Sequence, residues 1–591
     1  MPGGLLNLIS YGNQNIILNG NPSKTFFKTV YAKYSNFGLQ NIRIDFNGQK
    51  TLKLNEDSHF TFKIPRNAEL LLDTFLVFNI PDIWSPIMPP DVPDQTDIQN
   101  DNIDVWKPYN FKWIEYLGTN IIKKITLSIG SLVIQSYSGQ YIQNMVERDF
   151  DSSKKELFYK MIGMTDELTN PKNDGIRIND YPNAFCTYDS DVNKIPIIPE
   201  PSIKGRKIYV PLHFWFSYSS KMALPLVCLQ YSEVTIDIVL RPINDLYRIN
   251  DVSLKKSEGY DDTISIRPNV NNEKHSFYRF IQPPPDETLN ESMYTNKNYL
   301  WNTDIHLIGT YCFLSEEEAT VFAKNEQKYL IKDIKEDKFT NIIGTKRIKV
   351  LSNGMAATWM WYFQRNDINL RNEWSNYTNW PYNNRIPYNL LLAPEDSNDI
   401  VISGMHIGPG KNAKYNSDLS GGSYLYIEND NTSNSGTYLV DTYYNITPKY
   451  DKNYTKNILN NVAIIFDGKY RENVLDSGVY NYIEKYKMSN GNSDDGLYIY
   501  NYCLNTNPYD LQPSGAINLS KFKTIELEFS THLPPFDNAS EYFSICDNEG
   551  NIIGNTKNSN LYIYSYDLTL VEERYNIVRF VSGQAGLVYT R

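Results

Sequence analysis

Between Ala223 and Leu240 the chain reads ALPLVCLQYSEVTIDIVL, an apolar run broken by Pro225 that turns into strict alternation. Side chains of a strand point alternately to its two faces, so Val234, Ile236, Ile238 and Leu240 share one face. Glu233, Thr235, Asp237 and Arg241 share the other, with Val239 as its one apolar member. This pattern predicts a strand with a core side and a wet side. Just upstream, PLHFWFSYSSKM sets Phe214 and Phe216 against His213, Trp215 and Ser217. Near the other end, LQPSGAINLSKFKTIELEFS repeats the arrangement: a proline, a small-residue stretch, then Ile525, Leu527 and Phe529 alternating with Thr524, Glu526 and Glu528. Two widely separated copies predict a duplicated all-β domain.

The rest of the chain fits around these two anchors. Residues 1–25 are rich in Gly and Asn and read as an arm. Ile42, Ile44 and Phe46 then alternate against Arg43 and Asp45, and FTFKIPRNAELLLDTFLVFNIP predicts two strands about the turn Pro65-Arg66-Asn67. The stretch IEYLGTNIIKKITLSIGSLVIQSYSGQYI reads as a run of strands with Gly118, Gly130 and Gly139 at turns or bulges. A Pro-, Asn- and Asp-rich loop covers about 165–205. WNTDIHLIGTYCFL is expected to open the second unit, followed by a helix over Ser315–Ile334. Ser315 and Glu318 form a capping-box pattern there, and Ala319, Phe322, Ala323, Leu330 and Ile334 lie on one stripe. GMAATWMWYFQRND is an aromatic strand, and residues from about 396 to 460 form a long polar insertion of a length that usually carries function or is disordered. The expected organisation is an arm at 1–25, a first unit at 26–241, a connection at 242–299 and a second unit at 300–591.

Composition narrows the function. A chain of 591 residues suits two large β units, each able to bury its own core. Aromatics make up 14% of it, with 46 Tyr, and such rings pack well on pleated surfaces. The formal charge of -11 repels phosphate backbones, so direct nucleic-acid binding is not expected. Cys186, Cys228, Cys312, Cys503 and Cys546 are scattered and never form CxxC, which points to a reducing compartment. The opening residues lack the charge and apolar run of a secretory signal, and no window approaches the roughly 18 apolar residues of a membrane helix. Synthesis in the cytosol is expected.

Candidate chemistry is sparse. His59, His213, His275, His306, His406 and His532 stand singly, without a metal-ligand spacing. GMHIGPGKNAK places Met405 where a phosphate loop needs its first glycine, and Asn412 where it needs Ser or Thr. No GxSxG occurs. A carboxylate pair acting on glycans stays open, since its members need only meet in space. Asn376, Asn445 and Asn453 head N-x-T sequons and are acceptors by pattern, although chance matches are the default in an Asn-rich chain. No catalytic residue, cofactor or metal is assigned.

Several segments together resemble the double jelly-roll major capsid proteins of nucleocytoplasmic large DNA viruses, those of giant and algal viruses in particular. The opening GGLLNLISYGNQNIILNGNPSKTFFKTVYAKYSNF carries Gly20, Asn21 and Pro22 ahead of Phe26 and Phe27. VPLHFWFSYSSKMALPLVCLQYSEV carries Pro211, Phe214, Trp215, Phe216, Leu224 and Pro225, and LQPSGAINLSKF carries Gln512, Pro513, Ser514 and Gly515. SGQAGLVYT is similar to the usual carboxyl end. The resemblance implies an all-β fold of two consecutive antiparallel eight-stranded jelly rolls with long loops and a few short helices. It further implies a homotrimeric, pseudo-hexagonal capsomer tiling an icosahedral shell in the virion, assembled in the host cytoplasm. Its arm would meet minor capsid or inner membrane-associated proteins, and fibres or glycans would attach outside. A virion-surface adhesin that binds glycans through the 396–460 region, or a minor capsid paralogue, is the alternative.

Overall fold

The computed structural model describes residues 3–46, 50–85, 107–177, 200–249, 265–283, 296–379, 456–533 and 564–589, with a few isolated positions and short strands between them. Sixteen principal strands are numbered here in chain order. In the first half they are β1 (Phe37–Asp45), β2 (Ser58–Lys63), β3 (Leu70–Asn79), β4 (Ile122–Ile129), β5 (Leu132–Tyr137), β6 (Lys207–Pro211), β7 (Val234–Leu240) and β8 (His306–Leu314). In the second half they are β9 (Gln327–Ile342), β10 (Thr345–Lys349), β11 (Met355–Arg365), β12 (Leu459–Phe466), β13 (Lys469–Asp476), β14 (Leu497–Asn501), β15 (Ile525–Thr531) and β16 (Tyr566–Val581).

One sheet runs β1-β8-β3-β6 and faces a second that runs β2-β7-β4-β5. The other half repeats both orders, β9-β16-β11-β14 and β10-β15-β12-β13, all antiparallel. In each half the last strand lies between the first and the third, the wrapping that defines a jelly roll. The two segments that opened the sequence analysis end in equivalent strands, β7 and β15. Val234, Ile236, Ile238 and Leu240 are buried, as are Ile525, Leu527 and Phe529, while the intervening residues are half-buried. Period-two alternation thus sets which face enters each core.

Three expectations change. The segment His306–Leu314 is a strand, but it belongs to the first roll, paired along its length with β1 and with β3. The stretch 242–299 therefore precedes the first roll's final strand. Its Ile243, Tyr247, Ile249, Phe277 and Phe280 are buried in that roll's core, so it is no simple connection between units. The helix expected over Ser315–Ile334 stops early. It spans Glu316–Lys324, without a side-chain cap from Ser315, and β9 begins at Gln327. From there Tyr329 and Ile331 face inward and Leu330 outward, a strand pattern enforced by pairing with β16. Finally, the segment read as strands through Gly118 and Gly139 holds a short helical turn at Leu117–Asn120 and the helix α1 (Gly139–Asp149), with α2 (Ser152–Ile162) following. Gly130 does lie in the turn between β4 and β5.

Candidate assembly surfaces

The helix α1 fixes how the two rolls meet. Ser138 caps it by accepting from the Tyr141 amide, and nearly every residue, including Gln143, Asn144, Glu147, Arg148 and Asp149, is buried. Burying so many polar groups is costly unless they find partners, and here several of the partners come from the second roll. Tyr377 donates to Asn144 Oδ1 at 2.9 Å, and Ser375 donates to Gln143 at 2.9 Å. Gln140 donates to the Trp374 carbonyl at 2.6 Å, and Tyr141 to Glu573 Oε1 at 3.0 Å.

At the centre lies a charged cluster. Arg148, 1% exposed, binds Asp149 at 3.0 and 2.7 Å and Glu573 of β16 at 2.8 Å. Asp149 also accepts from Thr506 at 2.6 Å, and Lys332 stands 3.6 Å from Glu573. Burial pushes the Glu573 carboxyl up, but Arg148 and Lys332 outweigh it and hold the group below its ordinary range. Beside the cluster, Trp215 packs on Tyr329 at 5.2 Å and on Phe580 at 6.3 Å between ring centroids. A second charged cluster continues the seam. Arg365 and Arg371 both clamp Asp367, Arg371 binds Glu373 at 2.9 Å, and Arg248 of the first roll approaches Glu373 at 3.7 Å. The Asp367 carboxyl, raised by burial, is pulled well below the usual carboxylate range by the two guanidiniums. Trp374 donates to the Asp245 carbonyl at 3.0 Å and lies 4.0 Å beneath the Arg241 guanidinium. Largely buried and rich in paired charges, this seam joins the two rolls.

The sequence-marked residues divide between this seam and the surface. Phe214, Trp215 and Phe216 are buried, Leu224 and Pro225 pair with Leu71 and Leu70, and Pro211 ends β6 opposite Phe75. Gln512 and Pro513 share with Trp215, Gln135 and Arg148 the lining of a cavity of about 60 Å3 between the rolls, so the two repeated segments meet there. Ser514 exchanges hydrogen bonds with the Asn505 backbone at 3.0 Å. Gly515 has φ +138, and a Cβ there would lie 2.9 Å from the Tyr502 carbonyl, so only glycine suits the turn. Asn376 is half-buried in an Asx turn, accepting from the Thr378 amide at 3.0 Å and hydroxyl at 2.8 Å. Asn445 and Asn453, and the side chains of the 396–460 insertion up to Thr455, lie outside the described residues.

The arm is the opposite kind of surface. Residues 3–36 lie outside both cores, beyond the expected limit of 25. Gly20, Asn21 and Pro22 follow the short helix Ile16–Asn19, with Asn21 at φ +48. Leu8, Ile17, Leu18, Tyr31 and Tyr34 are exposed, and Phe26 and Phe27 are 86% and 98% exposed. Burial is worth about 1.5–3 kcal/mol for each large apolar side chain, so an arm of this composition is built to be covered.

Sequence reasoning missed α1, α2 and the seam charges. Ser138 and the Asp151–Gly163 cap pair, with Gly163 left-handed at φ +80, were the signals for the helices. The remaining histidines are dispersed. His213 is buried between Phe150 and Tyr218, His59 is exposed, and among the described residues no three His, Cys, Asp or Glu side chains are placed to hold a metal.

Twice-repeated jelly-roll order, joined by a buried seam, defines the double jelly-roll class. Residues 25–278 match the family described as major capsid protein N-terminus, and residues 318–586 match the large eukaryotic DNA virus major capsid protein. The chain belongs to this family of major capsid proteins. It is 30% identical over 253 residues to the major capsid protein of Chrysochromulina ericina virus, covering 42% of each chain. It is 22% identical to that of Phaeocystis pouchetii virus over all of both chains. In fold it resembles the Faustovirus major capsid protein with a TM-score of 0.57 at 12% identity, covering 94% of this chain and 92% of the other.

Proposed function

We propose that three copies of this chain form a pseudo-hexagonal capsomer, each jelly roll supplying one wall, and that such capsomers tile an icosahedral shell. The observation that carries this reading is the seam. Six equivalent walls require two rolls held at a fixed angle, and the paired charges around Arg148, Glu573, Asp367 and Arg371 supply that rigidity. The unit boundary consistent with this reading falls after β8, between Leu314 and Gln327.

The arm, with its wet Phe26 and Phe27, serves to tie the capsomer to an inner layer of minor capsid or membrane-associated proteins. The chain turns over no external substrate and, at a formal charge of -11, leaves nucleic acid to other components. Light scattering of the purified protein across a dilution series tests the central claim. A trimer that persists on dilution is expected, and a folded monomer at every concentration overturns it. A chain lacking residues 1–36 is expected to keep the trimer and lose assembly into shells with the inner layer.

A further inference from the structure

One polar contact across the seam differs from the rest in its chemistry. Lys155 of α2 is 4% exposed, and its Nζ lies 3.0 Å from Glu147 Oε2 and 2.7 Å from Oδ1 of Asn492, a second-roll residue. The Glu147 carboxyl, also 4% exposed, is held from its other side by the Tyr159 hydroxyl. An amine in hydrogen-bond reach of both a primary amide and a carboxyl supplies the nucleophile beside the electrophile and the proton carrier of an amide transfer. We propose that Lys155 and Asn492 become joined by an isopeptide bond that staples the first roll to the second, with Glu147 moving the protons.

The step balances without any oxidant or cofactor. The Lys155 ammonium gives a proton to the Glu147 carboxylate, and the freed Nζ lone pair attacks Asn492 Cγ. The new Nζ–Cγ bond forms as the Cγ–Nδ2 bond breaks. Glu147 delivers its proton to Nδ2 and takes the second one from Nζ. Ammonia leaves and takes up that last proton, which returns Glu147 to its carboxylate.

Three features favour the reaction. Burial pushes the Glu147 carboxyl up, as a proton acceptor facing an ammonium requires. The loop carrying Asn492 is pinned on α1, since the Gly491 amide donates to the Arg148 carbonyl at 2.8 Å. A Cβ at Gly491 would sit 2.4 Å from the Glu147 carbonyl oxygen, so glycine alone lets the loop come this close. Such positioning is worth several orders of magnitude in rate for an intramolecular reaction. Asn492 itself is an exposed residue, which gives ammonia an exit. Lys485 provides an internal comparison: its Nζ meets Asn481 at 2.8 Å one helical turn away, with no carboxylate oxygen in hydrogen-bond reach of Nζ among the described residues, and it is expected to stay unmodified.

Intact mass spectrometry of the denatured full-length protein, followed by tryptic mapping, reads the bond directly. The expected result is a chain lighter by one ammonia and a branched peptide joining Lys155 to Asn492. Glu147→Gln and Asn492→Ala should both run at the encoded mass. Asn492→Ala changes an exposed side chain and is checked for native circular dichroism, so loss of the bond is separable from loss of the fold. A folded wild-type chain at its encoded mass after prolonged incubation overturns the proposal. So does an ammonia loss that persists in Asn492→Ala, the signature of succinimide formation at the neighbouring Asn490-Gly491 pair.

Discussion

Replacing Arg148 with Met removes the cation at the centre of the seam while keeping most of its volume. The guanidinium makes three charged hydrogen bonds, two to Asp149 and one to Glu573, each worth about 1.5–3 kcal/mol net of solvation. Their full sum is not expected. Arg148 is itself buried, and its Nη1 finds no hydrogen-bond partner among the described residues, so the variant recovers part of that desolvation cost. Lys332 also stays 3.6 Å from Glu573. Breaking a buried pair by removing one partner typically costs about 3–5 kcal/mol, and these two offsets place Arg148→Met near 3 kcal/mol. Urea unfolding followed by circular dichroism measures the loss, and the transition should broaden or divide as the rolls uncouple. If the cost comes from two carboxylates left unpaired, then adding Asp149→Asn and Glu573→Gln to Arg148→Met should recover at least about 1 kcal/mol. A triple variant no more stable than the single one would refute the electrostatic account and assign the loss to packing.

Trp215→Ala should cost about 3–5 kcal/mol in the same assay, because the ring is buried against Tyr329 and Phe580 of the second roll; a loss under about 1 kcal/mol would mean the rolls do not depend on this contact. His213 gives an acid limb. Burial, helped by nearby Lys154, pushes its imidazole down to about 3 from 6.5, so below pH 6.5 the unfolded chain takes up a proton that the folded chain refuses. Its contribution is complete above pH 6.5 and is lost as the pH falls towards 3, by up to about 5 kcal/mol over that window. His213→Gln should therefore flatten the fall in urea midpoint between about pH 4 and 6, and an unchanged slope would discount the group.

The sequence made the strands legible where one face is wet. Val234 to Leu240 and Ile525 to Phe529 alternate because each strand has a core on one side and solvent on the other. Strand partners were not legible, because pairing is non-local: His306–Leu314 reads as a strand in either roll, and only the ladders with Phe37–Asp45 and Leu70–Asn79 decide which. Leu330 and Ile334 fit a helical stripe as well as a strand, and contact with Tyr566–Val581 settled the matter. The seam was hidden for a different reason. Its helix carries an ordinary apolar stripe, Tyr141, Ile142, Met145 and Val146, and reads as a surface helix whose polar face would meet water, whereas that face meets the second roll and Arg148 finds Glu573 425 positions away.

The strand order also governs when the protein can fold. Among the described residues, Phe37–Asp45 pairs within its sheet only with His306–Leu314, and Gln327–Ile342 pairs with Tyr566–Val581, more than 200 positions later. At about 5–20 residues per second on the ribosome, the first of these strands waits roughly 15–60 s for its neighbour to be made. Each roll thus stays open until its last strand emerges, and the second closes only once Tyr566–Val581 has been made. A chain cut short before Val581 lacks the strand that completes its second sheet pair, so the order of the strands keeps such truncated subunits from becoming competent to assemble.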